Sequence, residues 1–320
     1  MATPEITVVI PTRNRATSLR QALQSVLWQQ NVALEVIVVD DASIDDTRRM
    51  VVGLEEPRIR LIRHEQSRGV SAARNHGARE ASGAWLGFLD DDDVWAPEKL
   101  ARQIAAAEAS GRSWVYAGWV TIDDHLQVLT GRPPPSPDQV VKLLYRLNAI
   151  PTGGSNVIVR RDTFEETNGF DPRLTNGEDW ELWIRLADTS PPEWVPEPLV
   201  AYRIHPGNAS LDTSAVWTAV AMIERRHGVT VDRGSIERWI AESHLRTGRR
   251  TLAVTHLALA AVHGHGRDVA RDLLTALKRQ LYRGLGHRSQ TLGLASDAAW
   301  SSQAQSWLDG LATPPPSAPL

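Results

Sequence analysis

Five mostly apolar residues, Trp85-Leu86-Gly87-Phe88-Leu89, run without a break into four aspartates, Asp90-Asp91-Asp92-Asp93. Such a stretch suits a buried strand, and four adjoining carboxylates repel one another strongly. The run is tolerable only in solvent, at a helix cap or around a cation. In open α/β sheets, ligands bind beyond the carboxyl ends of the strands. Hard divalent cations take oxygen ligands, commonly one or two carboxylates plus substrate phosphates. A metal–diphosphate site is therefore expected here. The alternative is a solvated acidic turn that caps a helix beginning near Pro97.

The rest of the N-terminal half supplies a sheet for that strand to join. Residues 6–10 read as a buried strand closed by Pro11. Residues 16–29 carry Leu19, Leu23, Val26 and Leu27 on one helical face. Residues 35–39 form a second apolar strand ending in Asp40-Asp41, and Ser43 with Asp46 signals a helix start. Residues 59–62 read as a strand and 70–81 as a helix. Near-continuous apolar strands alternating with helices imply a parallel sheet covered on both faces. Thr12-Arg13, Asp40-Asp41 and the acidic run all fall at strand ends, as one shared ligand would require.

Beyond residue 110 the pattern loosens. Strands are expected at 114–120, 156–159 and 199–203, and helices at 138–147 and 178–187. Residues 131–137 contain four prolines and read as an exposed loop. After about Ser210 the chain turns helical, with helices expected at 217–227, 235–246, 249–263 and 267–282. The end, residues 313–320, has the composition of a disordered tail.

Bulk properties narrow the function classes. The net charge of −3 gives no reason to expect nucleic-acid binding, and the absence of cysteine excludes thiolate chemistry and disulfides. No apolar run approaches the 18 or so residues of a membrane span, and residues 1–5 lack a basic signal-peptide start. A cytoplasmic location is expected.

Six motifs then occur in order. They are Val8-Val9-Ile10-Pro11-Thr12-Arg13-Asn14-Arg15, Val38-Val39-Asp40-Asp41-Ala42-Ser43, Gly69-Val70-Ser71-Ala72-Ala73-Arg74-Asn75 and Phe88-Leu89-Asp90-Asp91-Asp92-Asp93, followed by Gly169-Phe170-Asp171 and Gly177-Glu178-Asp179-Trp180-Glu181-Leu182-Trp183. In this spacing they resemble glycosyltransferase family 2, the inverting enzymes with the GT-A fold, over about residues 5–208. The resemblance implies a Rossmann-like α/β domain at 1–208, with a nucleotide-sugar half (1–120) and an acceptor half (121–208). A helical region at 209–312 and the tail at 313–320 follow.

It also implies roles. Pro11, Thr12, Arg13 and Asp41 would line the nucleobase pocket of a nucleotide-diphosphate sugar donor, with UDP- or dTDP-sugars favoured. Arg74 would meet the nucleotide or its diphosphate, or else pair with the neighbouring aspartates. Asp90 and Asp91 would meet ribose hydroxyls or metal-bound water, and Asp93 would cap the next helix. Asp92 would ligate Mn2+ or Mg2+, joined by His205, with Arg203 as a late diphosphate contact. Asp179 would be the general base, beside Glu178 and Trp180 on the acceptor side. Ser67 stands where the family often has Asn, and Arg13 replaces a usual aromatic or small residue.

The acceptor stays open among glycan, lipid-linked, protein and small-molecule classes. Residues 267–288 interleave leucines with arginines and lysines, which suits a peripheral membrane helix or an ordinary packed one. The helical region is also a candidate dimer surface. A non-catalytic sugar-nucleotide scaffold of the same fold is the alternative function. A sugar nucleotidyltransferase fits less well, because Pro11-Thr12-Arg13-Asn14-Arg15 replaces its glycine-rich loop.

Overall fold

The structure is a computed structural model and describes residues 3–150, 152–205, 207–208, 212–246, 248–271, 273–274 and 298–312. Its N-terminal half is built from β1 (Ile6–Thr12), α1 (Ala16–Leu27), β2 (Leu34–Asp40), α2 (Thr47–Val52), β3 (Ile59–Arg63), α3 (Val70–Arg79) and β4 (Trp85–Phe88). These four strands are parallel, in the order β3-β2-β1-β4.

The period-2 alternation of a strand sorts their side chains between two cores. Ile6, Val8 and Ile10 of β1, with Val36 and Val38 of β2, face α1 and Leu100 and Ile104. Val9, Ile37 and Val39 face the opposite layer with Ala73 of α3. Both faces are buried, so the strands read as unbroken apolar runs.

The sheet continues through β5 (Val94–Trp95), β6 (Trp114–Ile122), β7 (Val128–Arg132), β8 (Ile158–Arg160) and β9 (Glu193–Arg203). The order beyond β4 is β8-β6-β9-β5, with β7 on β6. Here the pairing is mixed: β8 is antiparallel to β4 and β6, while β6 and β9 are parallel. The helices are α4 (Lys99–Ser110), α5 (Pro137–Leu144), α6 (Arg161–Glu166), α7 (Glu178–Thr189), α8 (Thr213–His227), α9 (Arg233–Arg246), α10 (Arg250–Ala260) and α11 (Ala298–Ala312).

Several expectations change in detail. Gly131 and Arg132 belong to β7 and Pro134 is buried, so the proline-rich segment is not wholly an exposed loop. It leads instead into α5, where Ser136 and Gln139 form a capping box with Pro137 at the first position. Asp93 caps nothing. It is buried, and accepts from Ser155 Oγ at 2.6 Å and the Arg203 N–H at 3.0 Å.

The boundary near residue 208 falls between β9 and α8, but the helices beyond it do not pack apart. Val216, Val220, Ile223, Ile236 and Ile240 share one core with Trp183 of α7 and Phe88 of β4. Helix α11, which sequence periodicity missed, returns to the sheet. Its Trp300 Nε1 donates to the Trp119 carbonyl at 3.0 Å, and Trp307 Nε1 to the Pro198 carbonyl at 2.9 Å. A Cβ on Gly131 would lie 2.8 Å from the Trp300 ring. Most of the segment 267–288 and the tail 313–320 lie outside the described residues.

Candidate active site

The carboxyl ends of β1, β2 and β4 converge on a cavity of about 1190 Å³. Parallel register brings Thr12 beside Asp40, and the Asp41 N–H donates to the Thr12 carbonyl at 2.8 Å. Thr12 Oγ1 donates to Asp91 Oδ2 at 2.7 Å, so the end of β1 holds the acidic loop after β4. Pro11, Arg13, Asp41, Arg74, Asp90, Asp91, Asp92, Glu178, Asp179 and Trp180 all line this cavity.

Each aspartate of the run has its own partner. Asp90 pairs with Arg74, and Asp92 Oδ2 pairs with Arg15 and lies 2.8 Å from His205 Nε2. Burial, reinforced by the Asp92 charge, pushes the Asp91 carboxyl up to about 7. Burial acts in the same direction on Asp92, but the His205 hydrogen bond and the Arg15 charge outweigh it and hold that group below its ordinary value.

Asp41 is more tightly committed than the resemblance implies. Its Oδ1 accepts from the Arg68 N–H at 2.8 Å and lies 2.7 Å from His64 Nδ1. Its Oδ2 accepts from Ser67 Oγ at 2.6 Å and the Gly69 N–H at 3.0 Å. A carboxylate has about four acceptor positions, and the fold fills them. Asp41 thus anchors the loop into α3, and Gly69 supplies the positive φ of 86° that the turn needs. Ser67 and the exposed Arg13 also face the cavity there, and Arg13 Nη1 donates to Ser67 Oγ at 3.2 Å.

Arg203 departs from its expected role as a diphosphate contact. It is 4% exposed, and its guanidinium is spent on the Asp92 carbonyl at 2.9 Å, the Asp123 carbonyl at 3.1 Å and Gln21 Oε1 at 2.7 Å. It braces the acidic loop from behind. His205 Nδ1 accepts the Gly207 N–H at 3.0 Å, which leaves the proton on Nε2 and makes the ring a donor to Asp92.

Arg74 takes the ion-pair alternative. It is 2% exposed, with Nη2 on Asp90 and Nη1 on Glu178 Oε1 at 2.7 Å. Glu178 is thereby committed to Arg74. Trp180 donates its Nε1 to the Leu144 carbonyl at 2.7 Å, which fixes the ring as a wall between core and cavity.

Asp179 sits in the first turn of α7 and is 6% exposed. Burial first, then the Glu178 charge, push its carboxyl up to about 7, and Asn148 Nδ2 donates to it at 3.2 Å. A carboxyl poised there can exchange protons near neutrality.

Sequence reading passed over Arg15, Asn148 and the turn 152–155. Arg15 closes the first motif but was given no role of its own, and Asn148 carried no distinguishing local signal. The Gly153-Gly154 pair was a legible cue, because glycine pairs mark close backbone approach. A Cβ on Gly153 would lie 2.8 Å from Asp90 Oδ2.

Among the described residues, no three His, Asp or Glu side chains are set as a metal cage. The chemistry present still suits an oxygen-seeking cation. Two carboxylates and an imidazole surround one cationic nitrogen of Arg15, and a metal's other ligands would come from phosphate and water.

The family described as "Glycosyl transferase family 2" matches residues 7–168. The chain belongs to that family. It is 42% identical over 108 residues to the succinoglycan biosynthesis protein ExoO of Rhizobium meliloti (strain 1021), a match covering 34% of this chain and 31% of that protein. It is 29% identical over 181 residues, covering 57% and 69%, to the UDP-Glc:alpha-D-GlcNAc-diphosphoundecaprenol beta-1,3-glucosyltransferase WfgD of Escherichia coli. Among solved structures, TarS 1–349 of S. aureus in complex with UDP-GlcNAc aligns with a TM-score of 0.57 and 17% identity over 76% of this chain and 72% of that one. The mannosyltransferase PcManGT of Pyrobaculum calidifontis, in complex with GDP-Man and Mn2+, aligns with a TM-score of 0.55 and 20% identity over 98% and 87%. The family 2 chain is a glycosyltransferase with the GT-A fold.

Proposed function

We propose that this glycosyltransferase is a metal-dependent inverting enzyme. It would move a sugar from a nucleotide-diphosphate donor to an acceptor hydroxyl, with Asp179 as general base. The observation that carries this reading is Asp179 itself. It is a buried carboxyl pushed up to about 7, on the wall of the same cavity that the acidic run enters. Inverting transfer is a single in-line displacement, needing a base at the acceptor and positive charge at the departing diphosphate. Here the base candidate lies in the first turn of α7 and the acidic run follows β4.

Asp92 would hold Mn2+ or Mg2+, with His205 beside it. Bound there, the metal would neutralise charge on the leaving nucleoside diphosphate as a Lewis acid. Asn148 would orient Asp179, and Trp180 would exclude water from one side of the acceptor. Arg13 and Ser67 would meet the base of a donor, with UDP- or dTDP-sugars as first candidates. The structural relatives bound to UDP-GlcNAc and GDP-Man support a nucleotide sugar here.

Away from the carboxylates the cavity is walled by Leu143, Leu147, Val216, Val220, Ile236 and Leu257. An apolar wall of this kind supports an acceptor with an apolar portion, and the E. coli relative is named for a lipid-linked one. The catalytic unit would then span residues 1–208, with the helical region closing the acceptor side. No described helix is long and apolar enough to cross a membrane. Action at the cytoplasmic membrane face would suit such an acceptor.

The test is thermal-shift titration with UDP, dTDP and GDP, with and without Mn2+, on the wild type and Asp92→Ala. A metal-dependent rise for one diphosphate, lost in the variant, supports the reading. No rise with any nucleotide, with or without Mn2+, would sink it.

A further inference from the structure

The acidic run carries two arginines of different standing. Arg74 is buried and held at both ends by carboxylates, and so is fixed. Arg15 sits just before α1 with its side chain 29% exposed, and one end of its fork rests on a backbone carbonyl, Gly207 O at 3.1 Å. Its Nη1 reaches three of the site's polar groups at once. It pairs with Asp92 Oδ2, lies 3.5 Å from Asp91 Oδ1 and lies 3.2 Å from His205 Nε2. Asp92 is the expected metal ligand among them.

We propose that Arg15 is the resident cation of this site, so that metal binding is an exchange in which the Arg15 guanidinium leaves Asp92. The proposal rests on the metal-dependent reading above. Asp91 and Asp92 adjoin, and burying both without a counter-charge would be costly. Arg15 supplies that charge when no metal is present. Asp92 Oδ2 cannot serve the guanidinium and a metal at once, so the two cations compete for it. A diphosphate arriving with the metal brings negative charge for the released guanidinium to meet. Metal and nucleotide binding therefore reinforce each other, reciprocally.

The experiment is Mn2+ titration of the full chain, with free Mn2+ read by electron paramagnetic resonance, with and without UDP and GDP. Wild type is compared with Arg15→Gln, and melting curves check that the variant folds. Without nucleotide, the variant is expected to bind Mn2+ about 10-fold more tightly, within the range typical of coupled sites. Its melting temperature should also rise more on Mn2+ addition. Equal or weaker Mn2+ binding by a folded variant overturns the exchange alone, if both proteins bind Mn2+ with nucleotide. No Mn2+ binding by either protein under any condition overturns the exchange and the metal reading together. If the variant does not fold, phenylglyoxal labelling of the wild type takes its place, with Arg15 followed by peptide mass spectrometry. Labelling that rises with millimolar Mn2+ supports the exchange, and unchanged labelling overturns it.

Discussion

Arg74 Nη1 donates to Glu178 Oε1 at 2.7 Å across 104 residues of sequence. The other amino group of the same guanidinium pairs with Asp90, so one side chain ties the acidic run to the start of α7. The acidic run and the first turn of α7 are thus held in register by a Glu–Arg–Asp triad.

Removing the centre of that triad leaves the buried Glu178 and the half-buried Asp90 uncompensated. Arg74→Met is expected to cost about 3–5 kcal/mol. Chemical denaturation of the variant against wild type measures this directly. A cost below 1 kcal/mol would show that the triad contributes little.

Asp179→Asn should lower kcat by about 10²–10⁴-fold, the usual worth of general-base help, while nucleotide binding stays at the wild-type level. The wild-type rate should climb as Asp179 ionises and level off above pH 7, because its carboxyl sits at about 7. Stability runs the other way. A carboxyl raised on folding contributes stability that is fully present below its unfolded value and lost as pH rises through the folded value. Above pH 7 the Asn variant should therefore melt higher than wild type, and a pH series of melting curves reads the crossover.

Trp300→Ala removes a ring packed against Gly131 and hydrogen-bonded to the Trp119 carbonyl. The expected destabilisation is about 3–5 kcal/mol, read by denaturant titration. Trp119, Thr130 and Arg132 of the supported hairpin line the cavity. Acceptor KM should consequently rise while the donor KM holds, and the reverse pattern would argue against support of the acceptor wall by α11.

Lys99 is fully buried, donates to Gln103 Oε1 at 2.7 Å and lies 4.0 Å over the Trp95 ring. Burial pushes its amine well below the usual lysine value. The unfolded chain therefore binds the extra proton, and wild-type stability rises with pH towards the ordinary lysine value. Lys99→Met is expected to gain about 1 kcal/mol or more at neutral pH. Its advantage in melting temperature should shrink by pH 9–10.

The sheet was legible because its signals are local. The alternation that sends Val8 and Val9 to opposite cores, and the helical spacing of Leu19, Leu23 and Val26, are written in a few neighbouring residues. Helix α11 was not legible as part of the sheet's packing, because nothing near Trp300 announces that Gly118 and Gly131 have left room for its ring. The acidic run and Asp179 stood out by residue type and motif. The commitment of Asp41 to Ser67, Arg68, Gly69 and His64 did not, because hydrogen-bond saturation depends on how a distant loop closes.

From sequence alone came the alternating α/β order, the strand ends that would meet, the family, and the two groups of carboxylates on which chemistry would depend. Only the tertiary structure decided which cation each carboxylate keeps. Arg74 went to Asp90 and Glu178, Arg203 went behind the acidic loop, and Arg15 came to Asp91 and Asp92. The reason is physical. Secondary structure follows from periodicity over a few residues, whereas a buried charge finds its partner through the whole path of the chain, here across 77 residues for Arg15 and Asp92.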